Sequence, residues 1–140
     1  LQAFYEKLNK DRPEEIYLVR STHVEQHADM NAVVIKQIEK QIQLGIKVNV
    51  ITPTLDSLRE RIPTDSARLI ERRIIDRSVF ETSSQIIIYN NIVAHTTYRN
   101  PTVTTVIEHK DIAETLMAMF NIIWKKTLAE TQEHIKKYTS

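Results

Sequence analysis

Apolar and polar residues alternate in three short runs of the C-terminal half, which predicts an antiparallel meander. Residues 84–98 read SQIIIYNNIVAHTTY, two strand-like runs around Asn90-Asn91. Both asparagines tolerate the left-handed backbone that a two-residue turn requires. A turn at Asn100-Pro101 then leads into a third strand over Thr102–Glu108.

The turn at Asn90-Asn91 also sets the register of the hairpin. It pairs Tyr89 with Ile92 and Ile86 with His95. Because side chains alternate along a strand, His95 falls on the same face as Ile86. The pattern therefore places one histidine on an apolar face.

A helical period replaces the alternation from about Lys110 onward. The predicted buried stripe is Ile112, Leu116, Met119, Phe120, Ile123 and Thr127. Beyond Ala129 the composition becomes polar, which indicates a solvated helical extension or an oligomer contact.

The N-terminal half predicts a βαβ unit. A strand over Glu15–Arg20 is apolar on both faces, and a helix over Val24–Leu44 follows it. Gly45 occupies the position of a helix-ending residue, and a second strand covers Ile46–Thr52. Such a unit has parallel strands and a right-handed crossover.

The segment between the two halves has weaker signals. A short helix capped by Thr54 or Asp56 is predicted to end at Ile62, because Pro63 follows. A strand is predicted over Glu71–Asp76. The fold class is thus α/β, with a mixed sheet of a parallel βαβ half and an antiparallel meander, and a long C-terminal helix.

The N-terminal residues Leu1, Phe4, Tyr5 and Leu8 have helical spacing without a preceding N-cap, which favours a piece of a longer chain. Their stripe has no evident partner and fits a dimer contact. The predicted organisation is a linker or dimerisation helix at 1–12, an α/β domain at 13–128 and a helical tail at 129–140.

The composition excludes several classes of protein. A single glycine among 140 residues rules out glycine-rich phosphate loops, and the lack of cysteine rules out disulfides and thiolate metal sites. A net charge of +1 is no general nucleic-acid footprint. Without a signal peptide or a long apolar run, a cytoplasmic protein with no membrane partner is expected.

Polar residues follow both strands of the βαβ unit at their carboxyl ends. Arg20, Ser21 and Thr22 follow the first strand, and Thr52 ends the second. Ligands of parallel α/β sheets gather at such ends, and hydroxyls with one guanidinium suit a sugar, a phosphate or a carboxylate. The alternative is that the hydroxyls cap helices and the arginine is a surface residue.

Three histidines are candidates for chemistry. His23 and His27 have i,i+4 spacing, but without a third ligand they favour solvated histidines over a metal site. His95 is interpreted as a core histidine bonded to a hydroxyl such as that of Thr97, or alternatively as a ligand contact. The candidate ligand-binding set is Arg20, Ser21, Thr22, His23, Thr52 and His95, with no metal and no cofactor.

The remaining charged motifs carry no catalysis. His109-Lys110-Asp111 at a helix start lacks the His-x-Lys spacing that phosphodiesterase chemistry requires, and His134-x-Lys136 lies in the tail. Arg72 and its neighbours alternate with acids, which predicts a solvated mixed face.

The order of segments resembles a known family. EEIYLVRS, GIKVNVITP, RRIID, QIIIYNNIVAHTTY and DIAETLMAMFNIIWKK, within residues 14–126, resemble the C-terminal effector domain of TrmB-type transcriptional regulators, most specifically through Phe120 and Trp124. The resemblance implies a phospholipase D-like fold without the catalytic motif and hence no enzyme. It also implies a homodimer, a sugar or phosphorylated metabolite as small-molecule effector, and DNA contact only through an N-terminal winged helix that precedes this sequence.

Two alternatives stay open at this point. One is a phospholipase D-like phosphodiesterase or nuclease with a degenerate site. The other is a dimerisation scaffold without a ligand.

Overall fold

A computed structural model describes residues 1–99 and 101–139 of the chain. The strands are β1 Glu15–Val19, β2 Lys47–Pro53, β3 Ile70–Ile75, β4 Ser84–Tyr89, β5 Ile92–Thr97 and β6 Val103–Glu108. The α-helices are α1 Gln2–Asp11, α2 Ala28–Leu44, α3 Leu58–Arg61, α4 Lys110–Lys126 and α5 Leu128–Thr139. Short 3₁₀ helices cover Thr22–Gln26, Ile62–Thr64 and Ser66–Arg68.

The strands form one six-stranded mixed sheet in the order β3-β2-β1-β4-β5-β6. β1, β2 and β3 are parallel to one another, whereas β4 pairs antiparallel with β1 and begins the β4-β5-β6 meander. The predicted α/β class with a mixed sheet is therefore confirmed. None of the described helices has the length and apolar content that a bilayer crossing requires.

The predicted βαβ unit is present, with a break at the start of its helix. Gly45 ends α2 with φ 70°, as expected of a left-handed C-terminal residue. Instead of one helix from Val24, the structure has a 3₁₀ turn and then α2, because His27 between them is extended at φ −114°. The Ser21 hydroxyl accepts a hydrogen bond from the backbone N–H of His23 and caps the turn.

The predicted hairpin register is confirmed pair by pair. Tyr89 lies opposite Ile92 and Ile86 opposite His95. Asn90 takes a left-handed φ of 51°, which asparagine tolerates better than most residues. The turn predicted at Asn100-Pro101 includes Asn100, which lies outside the described residues.

Each face of the sheet is covered by its own helices. α1 and α2 cover the face that carries Ile16, Val48 and Ile87, which we call the α2 face. α4 covers the opposite face, where Phe120 packs against Ile51; we call it the α4 face. Each strand thus sends alternate residues into two separate layers.

The N-terminal helix is part of this core. Phe4, Tyr5 and Leu8 are buried against the sheet in a cluster with Ile87 and Tyr89. The expectation that this stripe lacks a partner is wrong, because its side chains pack within the chain. Local periodicity shows that a helix has an apolar side, but not which surface covers it.

The stripe predicted on α4 is rotated in the structure. Ile112 and Met119 are 41% and 57% exposed, so their predicted burial is wrong. The fully buried side chains are Ala113, Phe120 and Thr127, and Leu116 and Ile123 of the predicted stripe pack half-buried against the core. Because Ala113 is small, the helix approaches Ile88 and Val93 closely there, an effect that a count of large apolar residues misses.

The polar tail forms α5 and covers the outer edge of β3. The backbone N–H of Ile74 donates to the Thr131 hydroxyl over 2.8 Å, and Thr131 is fully buried. The interpretation of the tail as a solvated extension is therefore wrong for this side of the helix. An amphipathic helix with few apolar residues can still satisfy a strand edge through one hydroxyl.

The segment from Thr54 to Leu69 is a chain of short turns. Its helix starts at Ser57 rather than at the predicted caps, since the Thr54 hydroxyl accepts from the backbone N–H of Arg77. Pro63 lies inside a 3₁₀ turn instead of ending the helix. Leu69 ends the segment in a left-handed conformation with φ 61°.

We expect Leu8→Ala to lower the free energy of unfolding by about 2–5 kcal/mol, because it leaves a cavity between α1 and the sheet. Urea titration followed by circular dichroism measures the loss. Leu128→Ala, at an exposed position of α5, should lose less than about 1 kcal/mol. A loss for Leu8→Ala that changes with protein concentration would contradict the intramolecular packing of α1.

Thr131→Val should lower the free energy of unfolding by about 1–3 kcal/mol, since it leaves the Ile74 N–H buried without an acceptor. Thr139→Val is the matched control: its hydroxyl also donates to a carbonyl one helical turn earlier, but it is exposed. Equal losses in the two variants would show that α5 does not protect the edge of β3.

Candidate functional site

A cleft opens on the α2 face, between α2 and the segment 58–69, and we call it the α2 cleft. Its inner part is narrow, about 40 Å³, and its outer part holds about 450 Å³. Arg20 lines both parts and is 4% exposed. It directly follows β1, so the cleft lies where the carboxyl ends of parallel strands predict a ligand site.

Three side chains fix the wall of the cleft to its floor. Arg72 donates from Nε and Nη2 to the two carboxylate oxygens of Asp65, each over 2.8 Å, and from Nη1 to the Thr52 hydroxyl over 2.9 Å. The guanidinium is buried, so the predicted solvated position of Arg72 is wrong. Two-point pairing of this kind holds a planar group in one orientation.

Amide side chains line the helical side of the inner cleft. The Gln37 amide donates to Asn9 of α1 over 2.8 Å and to Gln41 over 3.0 Å. Both glutamines are buried. This pair connects α1 to α2 directly behind the cleft.

A buried phenol stands beside Arg20. Burial raises the pKa of Tyr5 to about 12, although the neighbouring Gln85 amide and the charge of Arg20 oppose the rise. Tyr98 donates to the Gln85 side-chain oxygen over 2.8 Å, and its own pKa is raised mainly by burial. These phenols stay neutral at physiological pH and offer hydroxyl groups, not charges.

Ser21 and Thr22 serve a neighbouring loop instead of the cleft. The Ser21 hydroxyl donates to the backbone oxygen of Thr82, and Thr22 donates to the Glu81 carboxylate over 2.9 Å. They tie the end of β1 to the segment before β4. His23 is half-buried in the 3₁₀ turn beside them.

His95 lies on the other side of the sheet. It is exposed on the α4 face, and its Nε2 is 2.7 Å from the Ser84 hydroxyl. The interpretation as a core histidine is wrong, because His95 is exposed, but the expected bond to a neighbouring hydroxyl is present, with Ser84 in place of Thr97. The predicted ligand set is thus divided: Arg20 lines the α2 cleft, Thr52 is held by Arg72 outside the lining, and His95 lies on the opposite face of the sheet.

Groups suited to hydrolysis are not assembled in the described part of the chain. His109 caps α4, since its Nδ1 accepts from the backbone N–H of Asp111 over 3.1 Å. His134 and Lys136 lie on α5 and not on a strand. No cluster of three or more histidine or acidic residues that could hold a metal occurs among residues 1–99 and 101–139.

Several residues that line the cleft were not predicted as site residues from the sequence. Arg61 and Arg68 line the outer cleft from the segment 58–69, and Gln37, Gln41 and Gln85 line the inner one. A signal existed for the glutamines: Gln37 and Gln41 lie beside the apolar positions of α2, where a polar residue is unusual unless it is bonded.

Asp65→Asn should lower the free energy of unfolding by about 3 kcal/mol, because it leaves the buried Arg72 without its counter-charge. Asp56→Asn, at an exposed position with no side-chain partner among the described residues, should change it by less than about 0.5 kcal/mol. Chemical denaturation of both variants tests the difference. Equal values would show that the pair does not hold the wall.

No protein-family model matches the chain, and no curated protein matches it. Among solved structures, it is similar to TrmBL2, described as an archaeal chromatin protein with a novel mode of DNA binding. The match has a TM-score of 0.57 and 18% sequence identity, and covers 89% of this chain and 48% of TrmBL2. The chain therefore has the fold of about half of TrmBL2.

Proposed function

We propose that this chain is the regulatory domain of a TrmB-like transcriptional regulator and that it senses a small molecule in the α2 cleft. The fold shared with TrmBL2 supports the regulator, and the cleft supports the sensing. The chain spans 48% of TrmBL2, and DNA contact would belong to a winged helix outside this sequence, as the resemblance to TrmB-type regulators implies. The scaffold would be phospholipase D-like without its catalytic groups, acting as a homodimer in the cytoplasm.

The observation that carries this proposal is the position of Arg20. A guanidinium that is 4% exposed, at the carboxyl end of a parallel strand and at the floor of an open cleft, is the feature expected of ligand recognition. The outer volume of about 450 Å³ lies in the range of small-molecule sites.

The chemistry of the lining indicates a sugar or a phosphorylated metabolite. Gln41, whose Nε2 donors are not used by Gln37, supplies an amide group for hydroxyls, and Ile38 supplies an apolar wall. Arg68 stands at the mouth, and its guanidinium forms no ion pair with the rest of the described chain. Such a group suits a phosphate at the outer end of a ligand.

The signal would travel from α2 to α1. A ligand wedged beneath α2 changes how that helix lies on the sheet, and the bonds between Gln37 and Asn9 transmit the change to α1. Effective regulation requires that the ligand bind one arrangement more tightly than the other. α1 is placed to pass this difference to a preceding DNA-binding module.

Glucose 6-phosphate is the first probe to test, with glucose and inorganic phosphate beside it. Any of them at 100 times its dissociation constant should add about 2.7 kcal/mol to the free energy of unfolding, visible as a rise in the melting temperature. We expect Arg68→Gln to weaken binding of the phosphorylated probe about tenfold, the loss of one charged hydrogen bond.

Arg77→Gln is the matched control, because Arg77 is equally exposed but lies outside the cleft. It should leave the affinity unchanged in the same calorimetric titration. Equal weakening by Arg68→Gln and Arg77→Gln would show a nonspecific charge effect. A binding probe whose affinity neither Arg68→Gln nor Gln41→Leu alters would place the ligand elsewhere.

A further inference from the structure

One edge of the sheet is covered by a helix, and the other edge is open. At the β3 edge, α5 lies along the strand and Thr131 bonds the Ile74 N–H. At the opposite edge, β6 pairs with β5 on one side only, and five of its six residues are exposed. An open strand edge presents a row of backbone donors and acceptors to any matching strand.

The sequence of β6 lacks the features that keep strand edges apart. Val103, Thr104, Thr105, Val106 and Ile107 are all β-branched, and the first charge is Glu108. Edges that must stay single usually carry lysine, proline or a bulge. This strand has none of them, and its β-branched residues favour an extended, pairing conformation.

We propose that β6 pairs antiparallel with β6 of a second copy of this chain, centred on Thr105, to form a continuous sheet across a two-fold axis. This inference rests on the homodimer of the proposed function and names its surface. It replaces the N-terminal stripe, which is buried within the chain, as the dimer contact.

The register follows from self-complementarity. A two-fold axis perpendicular to the sheet keeps each face continuous, so only residues of the same face can oppose one another. Centred on Thr105, Val103 of each copy lies opposite Ile107 of the other, and both are exposed on the α4 face. Centring on Val106 instead would set Val103 against His109.

Charges at the two ends of β6 favour a second copy over an unrelated strand. Glu108 is exposed at one end, and Arg99 is exposed just before the other. Antiparallel pairing centred on Thr105 sets Glu108 of each copy opposite Thr102 of the other, toward the end of the mate where Arg99 lies. The ladder itself, from Val103 to Ile107, carries no charge that would oppose pairing.

The chain has no cysteine, so Thr105→Cys creates a single thiol at the two-fold axis. Opposed residues of antiparallel strands have Cα atoms about 4.5–5.5 Å apart, within disulfide range. Under mild oxidation most of this variant should become a covalent dimer on a non-reducing gel. Ser66→Cys, exposed in the segment 58–69, should stay monomeric on the same gel.

A charge introduced at the two-fold axis gives a second test that does not depend on oxidation. Thr105→Lys and Thr105→Glu should each raise the dimer dissociation constant at least about tenfold in analytical ultracentrifugation, because like charges face each other at the axis. An equimolar mixture should recover the wild-type value. Circular dichroism of each variant confirms that the fold is kept.

The outcomes separate this inference from the proposed function. A dimer that is insensitive to both charge variants and does not crosslink through Thr105→Cys would overturn the β6 surface and keep the homodimer. A wild-type chain that stays monomeric at roughly 100 µM would overturn both the surface and the homodimer, and leave sensing in the α2 cleft to be judged by its own titration.

Discussion

Consecutive residues of β1 and β2 must be withdrawn from water on opposite sides of one sheet. Ile16 is covered by α1 and α2, while its neighbour Tyr17 packs under α4. Strands that are apolar on both faces are stable only as the middle layer of three. The placement of every helix, and the cleft where two of the covering segments fail to meet, follow from this requirement.

The polar side chains of the α2 face are consistent with that arrangement. α2 and the segment 58–69 lie over the same strands but leave a gap between them, and the buried Arg20 lines the bottom of this gap. Arg72 and Asp65 hold the far wall by a buried, two-point ion pair. Such pairs fix geometry more than they add stability, which suits a wall that must keep one shape.

The sequence pattern predicted those parts of the fold that depend on residues close to one another in the chain. The register of the Asn90-Asn91 hairpin depends on turn chemistry, and the βαβ unit on spacing and Gly45, so both could be read from the sequence. The partner of an apolar stripe is a tertiary fact, which is why the burial of Leu8 was not foreseen. The charge pattern around Arg72 indicated solvent, but one buried Asp65 reverses that reading.

The residues of the candidate site also differ in whether local sequence pattern could predict their positions. The position of Arg20 at the cleft was predictable, because it follows a parallel strand, whereas Thr52 is bonded to Arg72 and does not line the cleft. His95 was assigned by face, and the face is right, but whether α4 extends far enough to cover it depends on a helix position that no local pattern contains. The only sequence signal for the glutamines of the cleft was their position as polar residues among apolar ones.

The helix that seals β3 limits how the sheet can grow. A unit with one covered and one open sheet edge can pair with one other unit only, because the resulting pair has no open edge left to extend. With α5 in place, joining at the far side of the molecule ends in a closed pair and not in a fibre. By covering the β3 edge, α5 thereby limits an assembly that forms through β6 to two chains, although it lies at the opposite edge of the sheet.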